Sequence, residues 1–394
     1  MDTLPASNRV LHVIYSMKRG GAESLLLDSV RNSSKLDNGH FPPTVVCWHH
    51  EGSLGPELRK ANVPLFVLNR RTRPLWLAPL LLFDFLGLLR NITKIARETD
   101  AKIIHGHLVD SAFIAAIVSS RIGAKSAATI YSNHVVPMSI KGGTLKHRIW
   151  MALTRWSFRH LDRLISISGD VTETLIGKFG AWPQNIAEVP VAVAPVRPKI
   201  SKAQARALFG LSKEEICLVF TGRLVANKNQ TALISMVKEL VGKGLKVRLL
   251  LVGDGPDKEK LQRKIQSTGT EGHVTLLGLY PDLSEVLAAA DIFVTASLSE
   301  GVSLALLEAM TLRIPIVSTR SEGNAELLKN GVGYLVGEAD TPALANAVAS
   351  LAKDPSARKQ LADKAERFYQ ENHSQEVRRA AELAVYSNLL KGSQ

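Results

Sequence analysis

Apolar and polar positions along this chain follow two periods in turn. Short runs rich in β-branched residues, each of strand length, precede longer stretches with helical spacing. In the first half these runs are 9–16, 44–48, 64–68, 102–107, 126–131, 164–168 and 186–191; in the second they are 216–222, 247–253, 274–279, 291–296, 314–319 and 334–336. Strand–helix alternation of this kind predicts an α/β protein with parallel sheets covered on both faces. A chain of 394 residues is long for a single core. Pro190, Pro195 and Pro198 break any regular element between the two series. The pattern therefore predicts two Rossmann-like domains, 1–195 and 196–373. Two polar-faced helices, 355–372 and 375–390, close the chain, and the segment 374–394 has nothing of its own domain left to cover. It is expected to cross back to the first domain.

The segment 299–310 stands out because it holds two acids in a stretch that otherwise reads as core. From Val302 to Leu312 only Ser303, Glu308 and Thr311 are neither apolar nor merely small. A helix apolar nearly all round should be buried, and a carboxylate in it needs a hydrogen-bonding partner. Glu300 and Gly301 form the turn between the strand 291–296 and this helix, where ligands sit in open α/β sheets. The amides of Val302, Ser303 and Leu304 open the helix as an anion site. Glu308 has two readings: a carboxylate accepting the two hydroxyls of a ribose, or half of a buried ion pair.

Other turns carry compatible chemistry. After the strand 216–222, Gly222 is followed by Arg223 and Lys228 in one loop. A fork and a point charge there suit a diphosphate, although two solvated loop cations would look the same. Gly253, Asp254, Gly255 and Pro256 form another turn, with Pro256 expected to begin a helix. In the first half, Gly20 and Gly21 precede a helix and allow close approach to a phosphate or simply a tight turn. His105 and His107 share one face of a strand end because the strand period is two. His134 follows the next strand toward the same rim. The His pair lacks further ligands at metal spacing, so no metal is expected. Without a Gly-x-Ser-x-Gly elbow, a serine hydrolase is excluded.

Charge changes the picture only for the first half. Residues 1–200 carry 25 Lys+Arg against 14 Asp+Glu, a net of +11, whereas 201–394 are nearly balanced at +2. Such a bias points to nucleic acid or an anionic membrane. The acids still present, and the lack of bases interleaved with aromatics on short strands, argue against nucleic acid. Two segments suit a membrane surface. The first runs from Arg70, Arg71 and Arg73 through Trp76 and Leu77 to Arg90, and is too short and too broken to span. The second, 146–163, alternates bases with aromatics at helical spacing, which fits packing on the sheet as well as it fits a membrane. Two cysteines, Cys47 and Cys217, make no disulfide framework. No signal-like start is evident, so the expected location is cytoplasmic, peripheral on the inner face of the cell membrane.

Taken together and in order, these motifs resemble the retaining glycosyltransferases of the GT-B fold, family 4 type. The most specific element is Glu300 to Glu308, the E-x7-E motif, preceded by Ala290-Asp291-Ile292-Phe293-Val294. Gly20 to Glu23, Gly222-Arg223 with Lys228, Gly253 to Pro256, and Gly323 with Glu326 agree as well. The resemblance implies two Rossmann-like domains facing a cleft, with a nucleotide-sugar donor held mainly by the second. In that scheme Arg223, Lys228 and the amides near Val302 to Leu304 hold the diphosphate, with Gly253, Leu279, Gly301 and Gly21 also around the donor. Glu308 takes the ribose and Glu300 faces the sugar. His107 lies beside the reacting carbon, and Gly20 and His134 fall on the acceptor side. Neither a cofactor nor a metal is implied, and the chain has no Asp-x-Asp.

The implied reaction moves a hexose or N-acetylhexosamine, from a UDP- rather than a GDP-sugar, to a saccharide acceptor. A lipid-linked glycan in surface polysaccharide, lipopolysaccharide or glycolipid synthesis is the expected acceptor. A sugar-nucleotide epimerase of the same fold and a non-catalytic nucleotide- or glycan-binding relative are the alternatives. Three positions depart from the family pattern: Val191 to Ala194 at the domain junction, Arg313 where glycine is common, and Arg320 to Asn324 in place of a double glycine.

Overall fold

The computed structural model describes residues 8–18, 20–31, 33, 39–70, 78–131 and 143–391. His134, Arg19 and the part of the first membrane segment that holds Arg71, Arg73, Trp76 and Leu77 lie outside them. The chain divides into two compact units, Met1–Ala192 with Gln375–Gln394, and Val193–Ser374.

The first unit is built on a seven-stranded sheet of β1 Val10–Ser16, β2 Pro43–His50, β3 Leu65–Val67, β4 Ile103–His107, β5 Lys125–Ile130, β6 Arg163–Ser166 and β7 Ile186–Glu188. Its order is β3-β2-β1-β4-β5-β6-β7, and every pairing is parallel. The second unit repeats the plan with β8 Ile216–Thr221, β9 Val247–Val252, β10 Val274–Gly278, β11 Ile292–Thr295, β12 Ile316–Thr319 and β13 Tyr334–Val336, ordered β10-β9-β8-β11-β12-β13. In each sheet the first strand has neighbours that lead away in opposite directions. This reversal opens a crevice at the carboxyl ends of β1 and β4, and of β8 and β11, where ligands bind in doubly wound folds.

The strand-length apolar runs form strands because both sheet faces are covered. In the second unit Phe220, Leu233, Val237, Leu249, Val294, Leu344 and Leu351 share one buried cluster. In the first, Val10, Ile103, Ala127 and Ile165 pack with Val385, Tyr386 and Leu389 of the helix Gln375–Lys391. The closing helix therefore belongs to the first unit. Each of those three side chains is worth about 1.5–3 kcal/mol on burial. Its polar face is buried too. Glu382 accepts hydrogen bonds from Arg379 at 2.9 Å and from Ser29 Oγ at 2.8 Å, and Arg378 lies 3.7 Å away. Burial alone would raise the Glu382 carboxyl, but the two guanidiniums outweigh it and hold it down at about 2.

Three local expectations are corrected. The helix after Gly255 begins at Lys258 rather than Pro256, with Asp257 as its N-cap residue. Pro256 is instead part of a turn that the Asp257 amide ties to the Leu224 carbonyl at 3.1 Å. The helix near residue 146 spans Leu145–His160 and stops short of Arg163. Leu161 is already extended, and Asp162 accepts bonds from the Ser126 amide and hydroxyl. The first membrane segment enters an unbroken helix, Ala78–Glu98, since Pro79 falls in the first turn, where its missing N–H costs nothing. No helix among the described residues is long and apolar enough to cross a membrane.

Candidate active site

In the second unit the loops after β8 and β11 meet at the sheet's reversal point. Gly222, at φ +155°, carries the chain out of β8. The turn after β9 crosses so close that a Cβ on Gly253 would lie 1.8 Å from the Gly222 carbonyl oxygen, and one on Gly255 would lie 2.3 Å from that of Leu224. Only glycine fits at 253 and 255. The crossing is pinned by the Leu224 amide donating to the Asp254 carbonyl at 3.0 Å, and by buried Gln230, whose Nε2 donates to the Arg223 carbonyl at 2.7 Å. The backbone of Arg223 is thus fixed while its side chain is exposed.

The β11 loop is tied to the β8 loop by two bonds: the Leu298 amide to the Asn227 carbonyl at 2.9 Å, and Asn227 Nδ2 to the Ser299 carbonyl at 2.7 Å. Lys228 forms an ion pair with Glu300, and Ser297 Oγ donates to the same carboxylate oxygen at 2.9 Å. Lys228, expected as a free diphosphate cation, is therefore neutralised by the very acid expected to face the sugar. The Gly323 amide holds the Glu300 carbonyl at 3.2 Å, and a Cβ on Gly323 would sit 1.5 Å from the Gly301 carbonyl oxygen. Gly301 and Leu279 are both exposed, Leu279 by 80%.

The helix Leu304–Thr311 has Ser303 as its N-cap residue, so its opening amides are those of Ser303, Leu304, Ala305 and Leu306, and Val302 lies just outside it. It is not buried all round. Leu306, Leu307, Ala309 and Met310 are buried, whereas Leu304, Ala305, Glu308 and Thr311 are half-buried. That second set recurs at i, i+1, i+4 and i+7, one stripe of the helix. Glu308 lies on the half-buried stripe, which lessens the desolvation cost inferred from the apolar sequence.

In the first unit the corresponding point holds three histidines. The β1–β4 register places His12 opposite His105, and His107 lies on the same face two residues on. Sequence spacing missed His12 because the partner strand is remote in the chain. All three are buried. His107 Nε2 is 3.0 Å from His12 Nδ1, and its Nδ1 is 2.7 Å from the Tyr131 hydroxyl. The two nitrogens of His105 are engaged by Tyr386 and Thr129 hydroxyls, each at 2.7 Å. Burial pushes the His107 and His12 imidazoles well below the usual range, with His105 adding to it, and His105 itself is lowered to about 4. All three rings are neutral at pH 7.

The ring nitrogens lie within 4.8 Å of one another, near enough for a metal ion. The rings are stacked, His105 on His107 at 25° and His12 on His107 at 27°. Directly after His107 the chain turns sharply, with Leu108 at φ +70°. Such strain is kept where the surrounding structure over-determines the turn. A Cβ on Gly106 would meet the Ser111 carbonyl at 2.3 Å, whereas one on Gly21 would touch nothing within 4 Å. Packing thus requires glycine at 106 but not at 21. Gly20 accepts the Ser24 amide at 3.0 Å, ahead of the helix Gly21–Arg31.

A family model described as glycosyl transferases group 1 matches residues 201–368, and one described as glycosyl transferase 4-like domain matches 31–192. The chain is 27% identical over 296 residues to an alpha-D-kanosaminyltransferase of Streptomyces kanamyceticus, covering 72% of this chain and 76% of that one. It is 28% identical over 278 residues to the phosphatidylinositol N-acetylglucosaminyltransferase GPI3 subunit of Saccharomyces cerevisiae, covering 69% of this chain and 58% of the relative. The crystal structure of Anabaena Alr3699/HepE in complex with UDP superimposes with a TM-score of 0.81 at 19% identity, covering 96% of this chain and all of that one.

Proposed function

The chain belongs to the group 1 glycosyltransferases of the family 4 type, with the GT-B fold, and from that premise we propose how its residues serve transfer from a sugar nucleotide. The observation that carries the proposal is the meeting of Arg223, the Lys228–Glu300 pair and the start of the helix Leu304–Thr311 at one sheet reversal point.

The chemistry needs a departing diphosphate to be stabilised in place, since negative charge builds on it as the glycosidic bond breaks. Arg223 offers a fork on a fixed backbone, and the helix amides offer donors with the dipole behind them. Lys228 turns from Glu300 toward the diphosphate when the donor binds, which frees the Glu300 carboxylate for the sugar hydroxyls. Glu308, on the half-buried stripe, takes the ribose diol. Gly253 and Leu279 flank the nucleotide. In the first unit Gly21 admits the phosphates, and neutral His107 hydrogen-bonds a sugar hydroxyl in exchange for one of its present partners. Gly20 and His134 serve the acceptor.

The reaction is retaining and metal-independent. It moves a hexose or N-acetylhexosamine from UDP to a saccharide carried on a lipid, for surface polysaccharide or glycolipid synthesis on the cytoplasmic face of an anionic membrane. What supports the lipid is the helix Leu145–His160: Lys146, Arg148, Arg155 and Arg159 are exposed on a helix without an acid. Leu145, Ile149, Leu153 and Trp156 are exposed by 39–70% instead of packing on the sheet.

The test is nucleoside diphosphate release from a panel of sugar nucleotides with extracted lipid-linked acceptors. Arg223→Ala and Glu308→Ala should each reduce turnover at least 100-fold. Full turnover by either correctly folded variant would overturn the assignment of the donor site.

A further inference from the structure

Beside the His107 turn, the first unit holds a half-open cavity of about 440 Å³, within the roughly 300–1,000 Å³ of small-ligand pockets. Three helices and one strand end line it. Phe85 and Leu88 come from Ala78–Glu98, Phe113 from Leu108–Ile122, Trp150 and Leu153 from Leu145–His160, and Trp48 from β2. The wall is almost wholly apolar, and its one acid, Asp110, is exposed.

Two observations indicate what it holds. Trp150 Nε1 is buried with no hydrogen-bond partner among the described residues, and a buried N–H of this kind calls for an acceptor. The surface contributed by the same helices is apolar and basic. Phe83 and Leu86 on one helix, and Leu145, Ile149 and Leu153 on the other, are exposed, and the second helix carries four exposed bases and no acid. Leu153 belongs to both the surface and the cavity wall. A cavity that opens through a basic, apolar surface suits an amphiphile whose head is anionic and whose tail is hydrocarbon.

We infer that this cavity binds the acyl or prenyl chain at the root of the acceptor lipid, with an ester or phosphoester oxygen accepting from Trp150 Nε1. The inference rests on the lipid-borne acceptor proposed above. Val109 and Asp110 lie in the cavity wall within three residues of His107, so a chain seated there brings its head group to the His107 end of the sheet.

The experiment uses the full chain and radiolabelled n-dodecyl phosphate below its micelle concentration, by equilibrium dialysis without any donor. Leu153→Trp fills the cavity from a position that is 44% exposed, so folding should be kept; the thermal midpoint checks this. The parent should bind one equivalent saturably, and Leu153→Trp roughly tenfold more weakly or worse, since about two buried methylenes account for a factor of ten. Flotation with phosphatidylglycerol vesicles should be unchanged, because tryptophan preserves the apolar surface. Equal binding by both proteins, or no saturable binding by the parent, overturns the inference. Two transfer assays separate it from its premise. Chain binding by the parent without sugar transfer to any lipid-borne acceptor leaves the cavity standing and removes the acceptor assignment. Equal preference of parent and variant for a lipid-borne over a chain-free saccharide removes the cavity's role.

Discussion

Lys228 and Glu300 form an ion pair between the β8 and β11 loops, with Lys228 exposed by 23% and Glu300 by 12%. Removing one partner strands the other in a half-buried place, so Lys228→Met and Glu300→Gln should each cost about 1–2 kcal/mol of stability. The double variant should recover most of that loss by thermal denaturation. Activity should behave differently, since each residue acquires its own substrate contact. Turnover should stay at least 100-fold down in the double variant. Recovery of turnover along with stability would show the pair to be purely structural.

Gly323 tests the loop that carries Glu300. The added methyl of Gly323→Ala would fall 1.5 Å from the Gly301 carbonyl oxygen, backbone that cannot yield without shifting Glu300 itself. Donor KM should rise at least tenfold and stability should fall by about 1–3 kcal/mol. Gly21→Ala is the contrast: with nothing within 4 Å of its Cβ, the thermal midpoint should hold while donor KM rises. An unchanged KM would remove Gly21 from the donor site.

Arg313 occupies a left-handed backbone position, φ +56°, which explains why the family resemblance led to an expectation of glycine there. Its guanidinium pairs with Asp363 on the helix Pro355–Asn372, and being half exposed the pair adds little. Arg313→Gly and Arg313→Ala lose the same pair, but only glycine relieves the backbone. The glycine variant should be about 1 kcal/mol more stable than the alanine variant by denaturant unfolding. Both should keep parental turnover.

The histidine stack sets a pH dependence of folding. Burial holds the folded His105 at about 4, against about 6.5 in the unfolded chain. As pH falls below 6.5 the unfolded state takes up a proton that the native state refuses. The stabilisation is therefore complete above 6.5 and is lost toward 4, by roughly 3 kcal/mol for His105 alone. His12 and His107 act in the same direction. Glu382, depressed to about 2, withdraws further stability only below its own unfolded value near 4.3. Thermal midpoints at pH 7, 6 and 5 should fall steadily, and His105→Gln should flatten the slope. A flat parental profile would show that the imidazoles reach solvent.

Much of this architecture is legible in the chain because parallel strands covered on both faces leave continuous apolar runs. Every strand expected from those runs is present within a few residues, and the reversal points follow from strand order. The chemistry was less legible wherever it depends on register or exposure. His12 joins His107 only through the β1–β4 pairing. Glu308 looked buried because apolar composition does not tell which stripe of a short helix is covered. The pairing of Lys228 with Glu300 crosses two loops and has no local signature, and the exposed apolar face of Leu145–His160 has the same sequence pattern as a packed one.

That last face supplies a direct test of the membrane proposal. Arg148, Arg155 and Arg159 are exposed alongside Ile149 and Trp156, and each base near an anionic surface contributes about 1 kcal/mol. Reversing Arg148 and Arg159 to Glu should reduce flotation with phosphatidylglycerol vesicles by at least tenfold in apparent affinity and make the remainder insensitive to salt. Changing Trp76 and Leu77 to Ser should weaken flotation through lost apolar contact while keeping its salt dependence. Transfer to a chain-free saccharide acceptor should be unaffected in both. Flotation that is equal for parent and charge-reversed protein, or independent of the lipid's charge, would show that the basic helix does not face the membrane.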